Sequence, residues 1–270
     1  MRFGTGNHRR RRVGAIALAA ALLAGCATPA ATPRPLFTPP PMPSAPQAPE
    51  TPESAAARAY YGQVQQALLS QGLLRTDGGG VDTPYTDRML AETFLKIALY
   101  DEYLPGSGGQ LAGPGSANIL RRWAGPVRVG LRFGASVPAE QRATDTARVA
   151  SFLARLAQVT GHSIRLDDSN PNFFVHVVSE DERRRLGPVL QAALPGLGAA
   201  DVEGITQMPQ STYCAVLAQS RGQGGIYIRA FAVVRAEHPD LLRLSCMHEE
   251  IVQGLGLPND SPRAPLDLQR

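Results

Sequence analysis

Lysine is almost missing from this 270-residue chain: Lys96 is the only one, and arginine supplies the rest of the positive charge. A bias of that kind fits a GC-rich genome and by itself points to no ligand. No apolar run reaches the ~20 residues that a membrane-spanning helix needs. The glycine-rich stretches, Gly78-Gly79-Gly80 and Gly106 to Gly115, read as loops. Neither carries the Lys and Ser/Thr of a phosphate-binding loop, so nucleotide binding is not indicated. Ser211, Ser245 and Ser261 all lack the G-x-S-x-G setting of a serine nucleophile, so serine-hydrolase chemistry has no support. Cysteine is scarce, with three in all, and Trp123 is the single tryptophan.

The strongest signal in the chain is at its start. Arg9 to Arg12 form a basic region, Val13 to Leu23 an apolar one about half the length of a membrane span, and Leu23-Ala24-Gly25-Cys26 follows. This is the pattern of a bacterial lipoprotein signal peptide over 1–25, with Cys26 as the lipidated N-terminus of the mature protein. A twin-arginine signal is the alternative, but the apolar consensus after the arginine pair is absent. Ala27, where an Asp would retain the protein at the inner membrane, favours the periplasmic face of the outer membrane of a Gram-negative cell. The lipid bilayer, through the acylated Cys26, is thus the first expected partner. Losing Arg2 and Arg9 to Arg12 with the signal takes the formal charge from +4 to −1. Nucleic-acid binding then loses its electrostatic basis.

Residues 26–53 are dominated by Pro, Ala and Thr, as in Pro39-Pro40-Pro41, and read as a disordered linker that lifts a domain off the bilayer. Fully extended, it would reach on the order of 80 Å. Residues 54–270 form the domain. Without Cys26, the pair Cys214 and Cys246 remains, in a compartment that oxidises thiols. A Cys214–Cys246 disulfide is expected, closing a loop of about 32 residues and contributing roughly 3–4 kcal/mol. Two buried free thiols are the alternative. A cysteine-ligated metal would need more soft ligands than nearby His248 provides.

Ala55 to Leu74 and Thr86 to Tyr103 read as helices, the second with Leu90, Phe94 and Ile97 at helical spacing. Val127, Val129, Leu131 and Phe133 alternate with Arg128, Gly130 and Arg132, as in a strand with one buried face. A helix follows, capped by Thr144 or Asp145, striped by Val149, Phe152, Leu153, Leu156 and Val159, and stopped at Gly161. Ser163 to Leu166 and Phe173 to Val178 read as strands, and Glu180 to Leu194 as a helix broken near Gly187-Pro188. Tyr213 to Ala218 and Ile226 to Val234 read as a hairpin. A last helix starts at Pro239-Asp240, with Asp240 as its cap. The fold class is α+β. His162, His176 and His238 read as structural, Trp123 as a core aromatic where a strand begins, and Tyr60-Tyr61 as an apolar helix face.

The last helix carries the one hint of chemistry. Glu249-Glu250-Ile251-Val252-Gln253-Gly254-Leu255-Gly256-Leu257-Pro258-Asn259 has the spacing of the zinc-peptidase motif H-E-x-x-H-x-x-G-x-x-H with every histidine replaced. In that motif the histidines one turn apart hold Zn²⁺, and the Glu activates the metal-bound water. Here Glu249 and Gln253 stand in the histidine places, Asn259 in the third-ligand place, and Glu250 in the general-base place. Leu244, Met247, Ile251 and Leu255 occupy the opposite face, so Glu249 and Gln253 would face a cleft or solvent. Zn²⁺ prefers imidazole or thiolate, whereas this oxygen set suits Ca²⁺, Mg²⁺ or Mn²⁺ better, if any metal. The plain alternative is a solvated helix face that ends in a glycine turn. The order of elements, a hairpin feeding a long helix, is also that of zincin catalytic domains, a likeness of topology that does not establish activity.

The lipobox with its Pro-rich linker, the segment Trp123-Ala124-Gly125-Pro126-Val127-Arg128-Val129, and the run from Cys246 through Glu249, Glu250 and Gln253 to Asn259-Asp260 together resemble the proteobacterial lipoproteins of domain-of-unknown-function family 2927. The resemblance covers roughly residues 60 to 265. It implies an envelope protein without a characterised activity, while the order of elements gives the expected fold, a zincin-like mixed sheet with packed helices. It also implies an acidic, helical continuation after Asn259-Asp260, in place of which this chain has Ala264 to Arg270, as a shortened or frameshifted end would.

Two functions follow as expectations. The first is a non-catalytic envelope lipoprotein that needs no cofactor and uses the face of Glu249, Gln253, Asn259 and Asp260 to bind a peptide, a cell-wall component or another protein. The second is a divergent metal-dependent peptidase or hydrolase with Glu250 as its catalytic base and a divalent metal beside it. A simple structural lipoprotein, in which the motif only ends a helix, is a third.

Overall fold

A computed structural model describes residues 50–76, 84–101, 117–222 and 224–259, all within one compact unit, Ser44–Arg270. The signal peptide with Cys26, nearly all of the linker, both glycine-rich loops, Asp260 and the tail after it lie outside the described residues.

The frame is a mixed sheet. Strands β2 (Val127–Phe133), β3 (Ile164–Leu166), β4 (Phe173–Val178) and β6 (Ile226–Arg235) run parallel in the order β3-β2-β4-β6. Strand β5 (Cys214–Ser220) pairs antiparallel with β6. The two-residue strand β1 (Arg122–Trp123) also pairs with β6, in parallel. Tyr227 pairs with Trp123 on one side and Ser220 on the other, so β1 and β4 share one edge of β6 and β5 lies along the opposite edge.

Both faces of this sheet are covered, which explains the unbroken apolar run in β6. With successive side chains pointing to opposite faces, Ala230, Ala232 and Val234 pack against helices α3 (Ala139–Thr160) and α7 (Asp240–Leu255). Phe231 and Val233 pack on the other face against α5 (Gly187–Ala193) and α6 (Ala199–Thr206). A short helix, α4 (Glu180–Arg184), leaves β4 through a capping box in which Ser179 and Glu182 satisfy each other's backbone N–H groups.

Helix α1 (Pro52–Ser70) starts where Thr51 accepts from the Ser54 N–H and Pro52 opens the first turn. It buries Ala57 and Tyr61 against Leu242 of α7. Helix α2 (Asp87–Leu99), capped by Thr86, leaves Phe94 and Leu95 about half exposed. Among the described residues no helix is long and apolar enough to cross a membrane.

The expected strands and the break near Gly187-Pro188 are present, and Gly161 ends α3 in the left-handed region at φ 65°. Two capping expectations need correction. Helix α3 begins at Ala139 after Pro138, so Asp145 lies inside it; its fully buried carboxylate accepts from Arg243 of α7 at 2.8 and 3.2 Å. Asp240 is the first residue of α7 rather than its cap, and its carboxylate takes Arg148 at 2.6 and 2.8 Å.

Candidate functional site on the motif helix

Helix α7 is fixed at three levels before its exposed face is considered. At its start, Arg243 joins the Asp145 carboxylate to the His238 carbonyl, which it reaches at 2.9 Å. In the middle, Met247 and Ile251 are fully buried, and Cys246 is bonded to Cys214 at the head of β5 with a Cα–Cα separation of 5.9 Å. The disulfide read from the sequence is therefore present. At its end, the backbone lies so close to the sheet that a Cβ on Gly254 would fall 2.4 Å from the Phe173 ring. Trp123 uses that approach, its indole N–H donating to the Gly254 carbonyl at 2.9 Å.

Gly256 then stops the helix at φ 127°, a conformation L side chains rarely adopt, and a Cβ there would sit 2.4 Å from the Arg121 carbonyl. The turn sends the chain onto α2. The backbone N–H of Asn259 donates to the Ile97 carbonyl at 3.2 Å, and its side-chain amide to the Lys96 carbonyl at 3.1 Å.

The four motif positions within the described residues therefore have different fates. Glu249 is exposed and Gln253 half-buried, on the rim beside β5, with a Glu249 carboxylate oxygen 3.9 Å from the Cys214 sulfur. Glu250 is only 2% exposed, on the flank turned to the core, near the angular position of Gly254. Asn259 is tied to α2, and Asp260 lies outside the described residues. A zinc ion in the peptidase position would need Glu249, Gln253 and Asn259 as ligands. That set offers one carboxylate and two neutral amide oxygens where zinc prefers imidazole or thiolate, and the Asn259 side chain is held on α2, so it does not fit zinc.

A second constellation escaped the sequence reading. Charged residues follow the carboxyl ends of β4 and β6 and are buried there beneath α1. Glu180 takes Arg183 at 2.6 Å and pairs with Arg235, both arginines about 1% exposed. Burial alone would raise the Glu180 carboxyl, but Arg183, Arg235 and Arg184 hold it below the usual carboxylate range. Arg235 also donates to the Met208 and Pro209 carbonyls at 2.9 and 2.8 Å and sits over the Tyr61 ring. Glu237, fully buried, accepts from Ser54 of α1 at 2.6 Å and from the Glu180 N–H at 2.7 Å.

His238 lies edge-on to Tyr61, with ring centroids 4.4 Å apart. Burial, with Arg235 and Arg243 nearby, pushes its pKa down to about 3. An open groove of about 390 Å³ runs along this region, lined in part by Glu53, Glu180, Arg183 and Arg184. The available signal was the sudden charge after each apolar strand, Val178-Ser179-Glu180 and Val234-Arg235-Ala236-Glu237-His238.

The three other histidines among the described residues, and Trp123, are held by structure. His162 contacts the Gly125 carbonyl at 2.9 Å, His176 stacks on Phe231, and His248 stacks on Phe152.

Fold and site together define an α+β protein in which an antiparallel edge strand is stapled to a helix carrying an acidic and amide rim. A family model described as a protein of unknown function, DUF2927, matches residues 87–266, and the chain belongs to that family. Helix α1 precedes the matched region. No curated protein and no solved structure matched the chain.

Proposed function

We propose that this protein is a cell-envelope lipoprotein, lipidated on Cys26 at the periplasmic face of the outer membrane, whose zincin-like domain is non-catalytic and binds a peptide, cell-wall or protein partner. The observation that carries the reading is the position of α7. A helix with zinc-peptidase spacing follows the β5–β6 hairpin, whose β5 is an antiparallel edge strand, the order in which zincin domains reach their active helix, yet its donor set does not fit zinc. What remains is a recognition surface. An extended segment would add to β5 as a further strand through backbone hydrogen bonds, and Glu249 and Gln253 on the adjoining rim would read its amide and cationic groups.

The runner-up is a divergent metal-dependent hydrolase with Glu250 as general base, favoured by the retained Glu-Glu spacing. The burial of Glu250 speaks against it, because a general base must reach the proton it takes, directly or through one water. Metal content by mass spectrometry on the disulfide-intact chain, purified without chelator beside Glu249→Ala and Glu250→Ala, separates the two. The expected result is no stoichiometric metal, together with binding of peptidoglycan fragments or envelope peptides that Gln253→Arg removes without lowering the thermal midpoint. Near-stoichiometric metal lost with Glu249→Ala, and hydrolysis lost with Glu250→Ala, would overturn the reading. Cys26→Ser is expected to abolish fatty-acid labelling; labelling that persists would refute the lipoprotein assignment.

A further inference from the structure

The disulfide and the motif rim meet at one corner, where the sulfurs of Cys214 and Cys246 and a carboxylate oxygen of Glu249 all lie within 4.8 Å of one another. We propose that reduction of the Cys214–Cys246 bond turns this corner into a Zn²⁺ site, with two thiolates and the Glu249 carboxylate as ligands and the fourth position open to water. The site is separate from the zinc-peptidase ligand places, using neither Gln253 nor Asn259, and it stands whether or not the domain binds a peptide.

The geometry needs little rearrangement. Tetrahedral zinc with Zn–S of about 2.3 Å and Zn–O of about 2.0 Å places its sulfurs about 3.8 Å apart and each sulfur about 3.5 Å from the oxygen. The Glu249 oxygen is already 3.9 Å from the Cys214 sulfur. Once the bond is reduced the two sulfurs separate by side-chain rotation, each on a different element, β5 and α7. Cys246 and Glu249 are three residues apart on α7 and therefore share a face. Burial is graded from Cys246 in the core, through the half-buried Cys214, to the exposed Glu249, which gives the ion a route in from solvent. Three protein ligands plus water is the open kind of zinc set, and carboxylate is an accepted third ligand.

The redox step balances with a dithiol reductant. Its thiolate attacks one sulfur of the disulfide to form a mixed disulfide, and its second thiol resolves that bond. Two cysteine thiols are left on the protein, and the reductant carries the new disulfide. Binding Zn²⁺ then releases the two thiol protons. In the oxidised protein neither sulfur can act as a thiolate, so the site exists only after reduction.

The test uses the full chain carrying Cys26→Ser, so that two cysteines remain, titrated with Co²⁺ as a spectroscopic probe and with Zn²⁺ against a chromophoric chelator. Both titrations are run with and without a phosphine reductant. Expected are one metal per chain and thiolate-to-cobalt charge-transfer bands, only after reduction. Loss of an outer-shell partner alone weakens metal sites by about 10–100-fold. Glu249→Ala, which leaves both cysteines in place, should therefore weaken binding by at least about tenfold. Far-ultraviolet dichroism and Trp123 emission report folding in parallel. A reduced, folded chain without thiolate bands overturns the proposal. So does unchanged affinity in Glu249→Ala, and so does unfolding on reduction with Zn²⁺ already present.

Discussion

Acid should destabilise this protein well before its carboxylates protonate, and His238 tests why. The ring is 1% exposed, faces Tyr61 and Tyr213, and lies near the guanidinium groups of Arg235 and Arg243. Its folded pKa is pushed down to about 3, from an unfolded value near 6.5. The native protein therefore keeps the ring neutral where the unfolded chain binds a proton. The stabilisation is complete above pH ~6.5 and is lost progressively as the pH falls towards the folded pKa. Between pH 7 and pH 5 the unfolded chain gains about three quarters of a proton at this site and the native state almost none, a loss of about 2 kcal/mol. His176, buried against Phe231 and near Arg132, and His248, half-buried against Phe152 and near Arg155 and Arg148, each have their pKa lowered to about 4 and each add a similar amount.

The three together, about 6 kcal/mol, are a large part of the roughly 5–15 kcal/mol that holds a domain folded. Glu180, Glu182 and Asp240, with carboxyl pKa values held below the ordinary range, act in the same direction only below about pH 4.5, so the window from 7 to 5 isolates the histidines. The assay is urea unfolding of the disulfide-intact chain followed by Trp123 fluorescence at pH 7, 6 and 5, for wild type and His238→Gln. The expected loss is about 6 kcal/mol in wild type and about 4 kcal/mol in the variant. A wild-type stability flat over this range, or an identical loss in His238→Gln, refutes the reasoning.

Other parts of the frame carry their own expectations. Cys214→Ser should lower unfolding free energy by roughly 3–4 kcal/mol for its 32-residue separation, read as a shifted denaturant midpoint; an unchanged midpoint would mean the bond constrains nothing. Gly256→Ala should cost about 1–3 kcal/mol, because φ of 127° and the nearby Arg121 carbonyl both reject a Cβ; thermal unfolding indistinguishable from wild type would contradict that turn. Arg243→Met strands the Asp145 carboxylate in the core and should cost about 3–5 kcal/mol, whereas a double variant with Asp145→Leu should recover much of it, and failure of that recovery would argue against the pair.

What could be read from the sequence was whatever local periodicity encodes. Val127 to Phe133 alternates visibly, Gly161 marks a helix stop, and the Tyr213 and Ile226 segments pair as a hairpin. Helix α6 was missed because it is short, weakly amphipathic and led by Gly198, which has no capping side chain. The start of α3 is not legible because Ala139 to Thr144 contributes nothing to the apolar stripe that begins near Val149. The parallel pairing of β1 with β6 joins segments about a hundred residues apart, and nothing local signals it. The buried charges were the least legible. Asp145, Glu180, Arg183, Arg235 and Glu237 look like any surface residues until tertiary structure supplies their partners. The motif helix was legible in its spacing but not in its rotation: the pattern separates Glu249 from Met247 and Ile251, while the burial of Glu250 depends on how closely Gly254 lets the helix approach Phe173.

That rotation bears on the chemistry. An i, i+4 pair such as Glu249 and Gln253 can meet one ligand only if the helix face between them stays accessible, and Glu250 lies about 100° from Glu249, towards the sheet. Gly254 brings the helix close enough to bury Glu250, and the Cys214–Cys246 bond holds β5 against the same stretch of α7. Gly256 then turns the chain so that Asn259 binds α2 rather than the rim. The same three devices that give α7 its fixed orientation thus take the base and the third ligand away from the position a peptidase would need. They leave Glu249, with Gln253 behind it, as the polar group best presented to a partner. The recognition reading and the thiolate–carboxylate corner both rest on that residue, but they use different neighbours. Gln253→Arg should therefore disturb partner binding and spare metal binding, while Cys214→Ser should abolish metal binding.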